Sequence, residues 1–204
     1  PRRPALPISA ARSTMSDQAS ISALDAVKAR HGYVMGLAGW SGSGKTTLAE
    51  KLIAALTARD LDVATIKHAH HAFDADVPGK DSYRHRAAGA RQVIVSSQAR
   101  SVIFTENKDR DEAPIEALLA SLAPADIVIV EGYKREPIPK LEIFRTATGK
   151  PPLFPNDPLI FAVATDDASA LPATRPQTLD LNDIEAITAH ICALAGRGDV
   201  AAAS

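Results

Sequence analysis

The stretch GWSGSGKTT, residues 39–47, constrains this chain more than any other part of its sequence. It fits the pattern G-x-x-x-x-G-K-[ST], with Gly39, Gly44, Lys45 and Thr46 in register and Gly42 adding further freedom. Glycines let a backbone wrap closely around phosphate with its N–H groups turned inward. A helix starting near Thr46 adds its positive end to the same point. Lys45 supplies a point charge for the β and γ phosphates, and the Thr46 hydroxyl is a ligand suited to Mg²⁺. A chance match would lack the right surroundings. Here YVMGLAG (33–39) is a short apolar run that predicts a buried strand, and Leu48, Leu52, Ala55 and Leu56 predict one apolar helix face over 46–58. Ser41, Gly42, Ser43, Gly44, Lys45, Thr46 and Thr47 therefore read as a nucleotide-binding loop.

The rest of the chain alternates in the same way. Strands are predicted at 61–68, 125–132, 139–145 and 159–167. Helices are predicted at 16–32, 81–88, 112–122 and 182–194, the last starting from a capping-box-like Asn182 and Glu185. QVIVSS (92–97) and RSVIFTE (100–106) are β-branched runs around a tight turn, a strand pair. The pattern predicts an α/β fold of the P-loop NTPase type: a mainly parallel sheet flanked by helices, with an additional antiparallel pair. At 204 residues one domain is expected, over 33–195. Residues 1–32 are expected to form a partly disordered N-terminal extension, and 196–204 a flexible tail. Residues 1–14 carry Arg, Ser and Pro without acids, as a transit segment does, but Met15 is the preferred start.

Composition excludes several functions. Lys and Arg number 23 against 24 Asp and Glu, so no basic field invites nucleic acid. One cysteine, Cys192, excludes an internal disulfide and any CxxC motif. No apolar run approaches the roughly 18 residues of a membrane span. A cytoplasmic protein is expected.

Acidic residues at strand ends are the next candidates. Glu131, closing the run DIVIVE, stands where a carboxylate would hold Mg²⁺, and Asp126 at the other end of that strand reads as structural. The guanine-reading pattern N-K-x-D fails at NKDRD (107–111), where Arg110 takes the Asp position. Asp166 or Asp167, after the strand FAVAT, is better placed to accept from guanine, with a solvated loop acid as the alternative. The stretch KHAHHAFDADVPGKDSYRHR (67–86) leaves three readings open. His68, His70 and His71 with Asp74 form one possible metal site. A polar surface loop is the second. The third is a segment that senses Mg²⁺ and the γ-phosphate, with Asp74 and Asp76 as oxygen donors and Asp81 capping the following helix. Arg84, Arg86, Lys134 and Arg135 are candidates for contacting phosphate, pterin or a partner, or simply solvated charges.

Together GWSGSGKTTL, IKHAHHAFDADVPGKDSYRHRAAGA and VEGYKREPIPKLEIFR resemble the molybdopterin-guanine dinucleotide biosynthesis adaptor family, MobB, from about Tyr33 to Asp167. The resemblance implies GTP and Mg²⁺ as ligands, at most slow hydrolysis, and a homodimer. It also implies a supporting role beside the guanylyltransferase (MobA) that attaches GMP to molybdopterin, with molybdopterin itself a further possible ligand. It places the phosphate loop on Gly42–Thr47, the glutamate of its VEG motif on Glu131 and its Asp/His segment on His68–Ser82. Two other classes compete. A small-molecule P-loop kinase would need an Arg-rich lid, and DSYRHRAAGAR lies too early in the chain. A metallochaperone GTPase is prompted by the histidines but lacks a Cys-containing metal motif.

Overall fold

The computed structural model describes residues 23–69 and 73–197. The readings made of residues 1–14, Met15, the start of the first helix, His70, His71 and the tail beyond 197 lie outside the described residues. Two compact units emerge. One takes in the described residues up to His68 and those from Ile115 onward; the other spans Ala69–Pro114.

In the first unit six strands form one sheet: β1 (Tyr33–Ala38), β2 (Val63–Lys67), β5 (Ile127–Glu131), β6 (Lys140–Phe144), β7 (Ile160–Thr165) and β8 (Gln177–Asp180). Their order is β2-β5-β1-β6-β7-β8, and every pairing is parallel. This is the doubly covered parallel sheet expected of strands without polar alternation. β8 is a four-residue edge strand whose TLDL stretch gave no strand signal.

Strand alternation sorts the core. Met35, Leu37, Ile127, Ile129, Leu141 and Ile143 face α2 (Lys45–Thr57) and α5 (Ile184–Leu194). On α2 Leu48, Ala49, Leu52 and Leu56 are buried; Ala49, rather than the expected Ala55, completes the stripe. Val34, Val128 and Val130 face the other way, towards Leu24 in α1 (residues 23–28) and Ile115 and Leu119 in α4 (Ile115–Ser121). Pro114 explains why α4 starts later than the predicted 112: the residue before proline avoids the helical region. Cys192 is buried, and burial pushes its thiol up.

α5 is capped one residue later than predicted. Asp183, not Asn182, accepts from the Ala186 N–H at 2.9 Å, while Asn182 turns its amide to Asp180. Asp126 is structural as read: it accepts from the Asp62 N–H at 2.9 Å and pairs with Arg197 at 2.5 Å.

β6 buries all five of its residues, Lys140 and Glu142 included. Lys140 pairs with Asp157 at 3.1 Å. Glu142 accepts from the Leu153 and Phe154 N–H groups at 2.6 and 2.9 Å, pinning the loop that covers it. Burial pushes its carboxyl above the usual range against those two hydrogen bonds. An acid raised on folding stabilises fully below its unfolded value near about 4.3, and that contribution is lost as pH rises through the folded value. Glu142→Gln is therefore expected to flatten the fall in stability just above that pH, read by chemical denaturation at stepped pH.

The second unit holds α3 (Asp81–Ala87) and the antiparallel pair β3 (Gln92–Ser96) and β4 (Ser101–Thr105). Ile94 faces Ile103 and Val95 faces Val102 across the pair, and all four side chains are exposed. The N-cap position of α3 is Lys80, without a side-chain bond; Asp81 does not cap but opens the helix and pairs with Arg84 at 3.6 Å.

Candidate phosphate-binding site

Parallel strands all point their carboxyl ends the same way, so the segments after β1, β2, β5, β6 and β7 meet at one edge of the sheet. The loop from Gly39 to Gly44 leaves β1, the strand between β5 and β6. A Cβ on Gly39 would lie 2.6 Å from both the Ile143 carbonyl and Ser43 Oγ, so only glycine lets the loop fold this tightly against β6. Ser43 is buried. Gly44 occupies the N-cap of α2 without a capping side chain, which leaves the first-turn N–H groups to an outside acceptor. Lys45 folds back over the loop, its Nζ donating to the Gly39 and Trp40 carbonyls at 3.1 and 2.9 Å. Burial lowers its pKa; the charges of Lys134 and Lys67 act the same way and Glu131 opposes them.

Thr46 and Glu131 meet here as the sequence required. Thr46 Oγ1 donates to Glu131 Oε1 at 2.9 Å. A third residue, not anticipated, completes the group. Register sets Lys67 beside Glu131 at the ends of β2 and β5. Its Nζ donates to Thr46 Oγ1 at 3.2 Å and lies 3.5 Å from Glu131 Oε2. One ammonium thus contacts both the hydroxyl and the carboxylate. The hydroxyl and the carboxylate stand side by side at the start of α2 and the end of β5.

On the other side of the loop Arg145, directly after β6, donates through Nε to the Ser43 carbonyl at 3.2 Å and pairs with Asp166 at 2.5 Å. Asp166 therefore stands beside the loop. Asp167 instead caps a short 3-10 turn, Ala168–Ala170, through Ser169, whose hydrogen bonds hold its carboxyl below the usual range. Trp40 donates to the Pro151 carbonyl at 2.8 Å, and Lys134 Nζ sits 4.9 Å from its ring centre. Lys67, Arg145 and Trp40 were not anticipated as site residues. The signal for the first two was their position at a strand end.

The histidine stretch divides. His68 donates its N–H to the Glu131 carbonyl at 2.9 Å and packs its ring edge-on against Tyr133. Asp74 and Asp76 belong to the second unit, where Arg86 gathers three carboxylates: Asp74 at 2.8 Å, Asp76 at 3.1 Å and Glu106 at 2.6 Å. The Arg86 hydrogen bond holds Asp74 below the usual carboxylate range. Burial works to raise Asp76, but hydrogen bonds from Ser82 and Arg86 outweigh it. Among the described residues no three His, Cys, Asp or Glu side chains gather as a metal site. No described helix is long and apolar enough to cross a membrane.

Comparison with known proteins agrees with this geometry. The family model described as MobB, molybdopterin guanine dinucleotide synthesis protein B, matches residues 34–166. The chain is 43% identical over 157 residues to the molybdopterin-guanine dinucleotide biosynthesis adapter protein of Escherichia coli K12, covering 76% of this chain and 88% of that protein. It is 42% identical over 158 residues to the adapter protein of Haemophilus influenzae, covering 78% and 86%. A crystal structure of a MobB homolog from Bacillus stearothermophilus superposes with a TM-score of 0.59 at 25% identity, covering 80% of this chain and 97% of that one. By the family model and these relatives, the chain belongs to the MobB family.

Proposed function

We propose that this protein is a GTP-binding adapter that assists the guanylyltransferase attaching GMP to molybdopterin, with slow intrinsic GTPase activity. The observation that carries the reading is the Thr46–Glu131 pair beside an uncapped helix N-terminus, in a family named for guanine dinucleotide synthesis. The residues present fit a magnesium nucleotide. The N–H groups of Gly42 to Thr47 and the Lys45 ammonium would hold its phosphates. Thr46 and Glu131 would hold Mg²⁺, which supplies charge neutralisation at the phosphates when bound. Glu131 is committed to Thr46 and Lys67, an arrangement suited to holding a cation rather than activating water.

For Asp74 or Asp76 to contribute to Mg²⁺, their bonds to Arg86 would have to be exchanged. We assign guanine preference to Asp166, held in place by Arg145. Asp166→Asn is expected to reduce the ratio of GTP to ATP affinity at least about tenfold, the scale of about 1.4 kcal/mol; competition binding measures it. We further propose a homodimer, for which the exposed Ile94 and Ile103, paired on one face of the β3–β4 ribbon, offer an apolar surface, and a cytoplasmic location. Pull-down of the guanylyltransferase with and without GTP tests the whole reading. Capture strengthened by GTP supports it, and no capture in either condition refutes it.

A further inference from the structure

A cleft of about 380 Å³ opens beside the phosphate loop, within the first unit. Its position follows from strand alternation. Leu37 and Leu141 face α2 and α5, so Ala38 and Lys140 face the opposite side of the sheet, where connections between strands line the cleft. Two connections form the walls. The β5–β6 connection contributes Lys134, Arg135 and Pro137; the β6–β7 connection contributes Leu153, Asn156 and Leu159.

The charge of the cleft is uneven. Lys140, at its floor, is buried and neutralised by Asp157. Lys134 and Arg135 are exposed, and among the described residues neither has a carboxylate partner. Two positive charges therefore stand at a partly apolar cleft on a chain whose net charge is -1. The volume lies in the range of small-molecule sites, roughly 300–1,000 Å³, and an apolar wall with a few convergent polar groups is their usual composition. The cleft also adjoins the nucleotide loop: Ala38 directly precedes Gly39, and Lys134 lies against the ring of Trp40.

We infer that this cleft binds the second substrate of dinucleotide synthesis, a flat pterin-type heterocycle carrying a phosphate monoester. Lys134 and Arg135 take the phosphate. Pro137, Leu153 and Leu159 contact the ring, and the Asn156 amide reaches its polar edge. The inference rests on the adapter reading above, since that reading supplies the pterin as the partner of the guanine nucleotide. It would make the adapter a holder of both halves rather than of the nucleotide alone.

The test uses the full chain and hydroxymethylpterin phosphate, with dephosphorylated hydroxymethylpterin as comparison, in equilibrium dialysis and titration calorimetry. Trp40, the chain's one tryptophan, is a local reporter, because pterins absorb where tryptophan emits. The expected result is saturable 1:1 binding with quenching of Trp40. Affinity should fall at least about tenfold for the dephosphorylated compound and in Arg135→Glu, and recover in Arg135→Lys. Leu159→Trp, which fills the cleft, should weaken binding independently of charge. GTP affinity should stay unchanged in the Arg135 and Leu159 variants, which also reports that they fold. The inference is overturned by an absence of saturable binding, by unchanged affinity in both Arg135→Glu and Leu159→Trp, or by displacement of the pterin phosphate by GTP. If the pterin phosphate binds the cleft but GTP does not bind at all, the nucleotide reading fails and the cleft stands.

Discussion

Replacing Lys45 with alanine is expected to raise the dissociation constant for GTP by about a hundredfold or more. Hydrogen bonds to charged groups contribute about 1.5–3 kcal/mol each, and Lys45 would meet two phosphates. In the structure its ammonium rests on two loop carbonyls, Gly39 and Trp40. Those carbonyls are weaker partners than phosphate, so the lysine gains strongly on transfer to the nucleotide. Burial adds to the effect, because a half-desolvated ammonium gains more from an anion than an exposed one. The fold should barely notice the change, since the lost bonds lie within one loop. Isothermal titration with GTP measures the effect, and a melting temperature within a few degrees of the parent confirms the fold. GTP binding that survives in Lys45→Ala would falsify the phosphate-loop assignment.

Gly132→Ala should produce a large loss of stability for a single-methyl change beside the site. Gly132 has φ of +97°, where an L side chain is strained by about 1–2 kcal/mol. A Cβ there would also lie 2.6 Å from His68 Cβ and 3.4 Å from the His68 backbone. Both sides of that clash are tied down, since His68 N–H is bonded to the Glu131 carbonyl. Forced overpacking of this kind costs about 1–3 kcal/mol, for a total of roughly 2–5 kcal/mol. For a chain of this size that lowers Tm by roughly 4–20 °C. Gly149→Ala provides the comparison: it also has positive φ, but its Cβ would meet nothing within 4 Å. Calorimetry should show the Gly132 variant well below the Gly149 variant. Magnesium-dependent nucleotide binding should fall with it, because Glu131 is the residue next in the chain.

How far the site could be read from sequence follows from how local each feature is. The phosphate loop is a contiguous pattern whose glycines, lysine and threonine act through their own backbone, so it was legible. Glu131 could be singled out because it closes a run of four apolar residues just before Gly132, and the structure sets it against Thr46. Lys67 and Arg145 could not. Lys67 becomes a site residue only through parallel register with Glu131, and Arg145 only because β6 ends beside the loop. The same limit explains β6. KLEIF suggests Lys140 and Glu142 on a solvated face, but a distant segment covers them, and both are satisfied by partners more than ten residues away. The cap of α5 was misplaced by one residue because Asn182 and Asp183 are both competent caps and only backbone geometry chooses between them, whereas at α3 the N-cap falls on Lys80, which has no accepting side chain, and Asp81 enters the first turn.

The placement of Lys67 has a consequence for the charge balance of the Thr46–Glu131 pair. A carboxylate at the end of a buried strand calls for a positive charge to balance it. Here a tethered ammonium already fills that role at 3.2 and 3.5 Å. A short tether gives such a group an effective concentration on the millimolar scale, so magnesium bound as proposed would displace an internal competitor rather than bulk solvent ions. Lys67 and Glu131 thus balance each other within the chain. If the protein binds magnesium nucleotide as proposed, charge would be exchanged within the molecule and occupancy would acquire a threshold set by free magnesium.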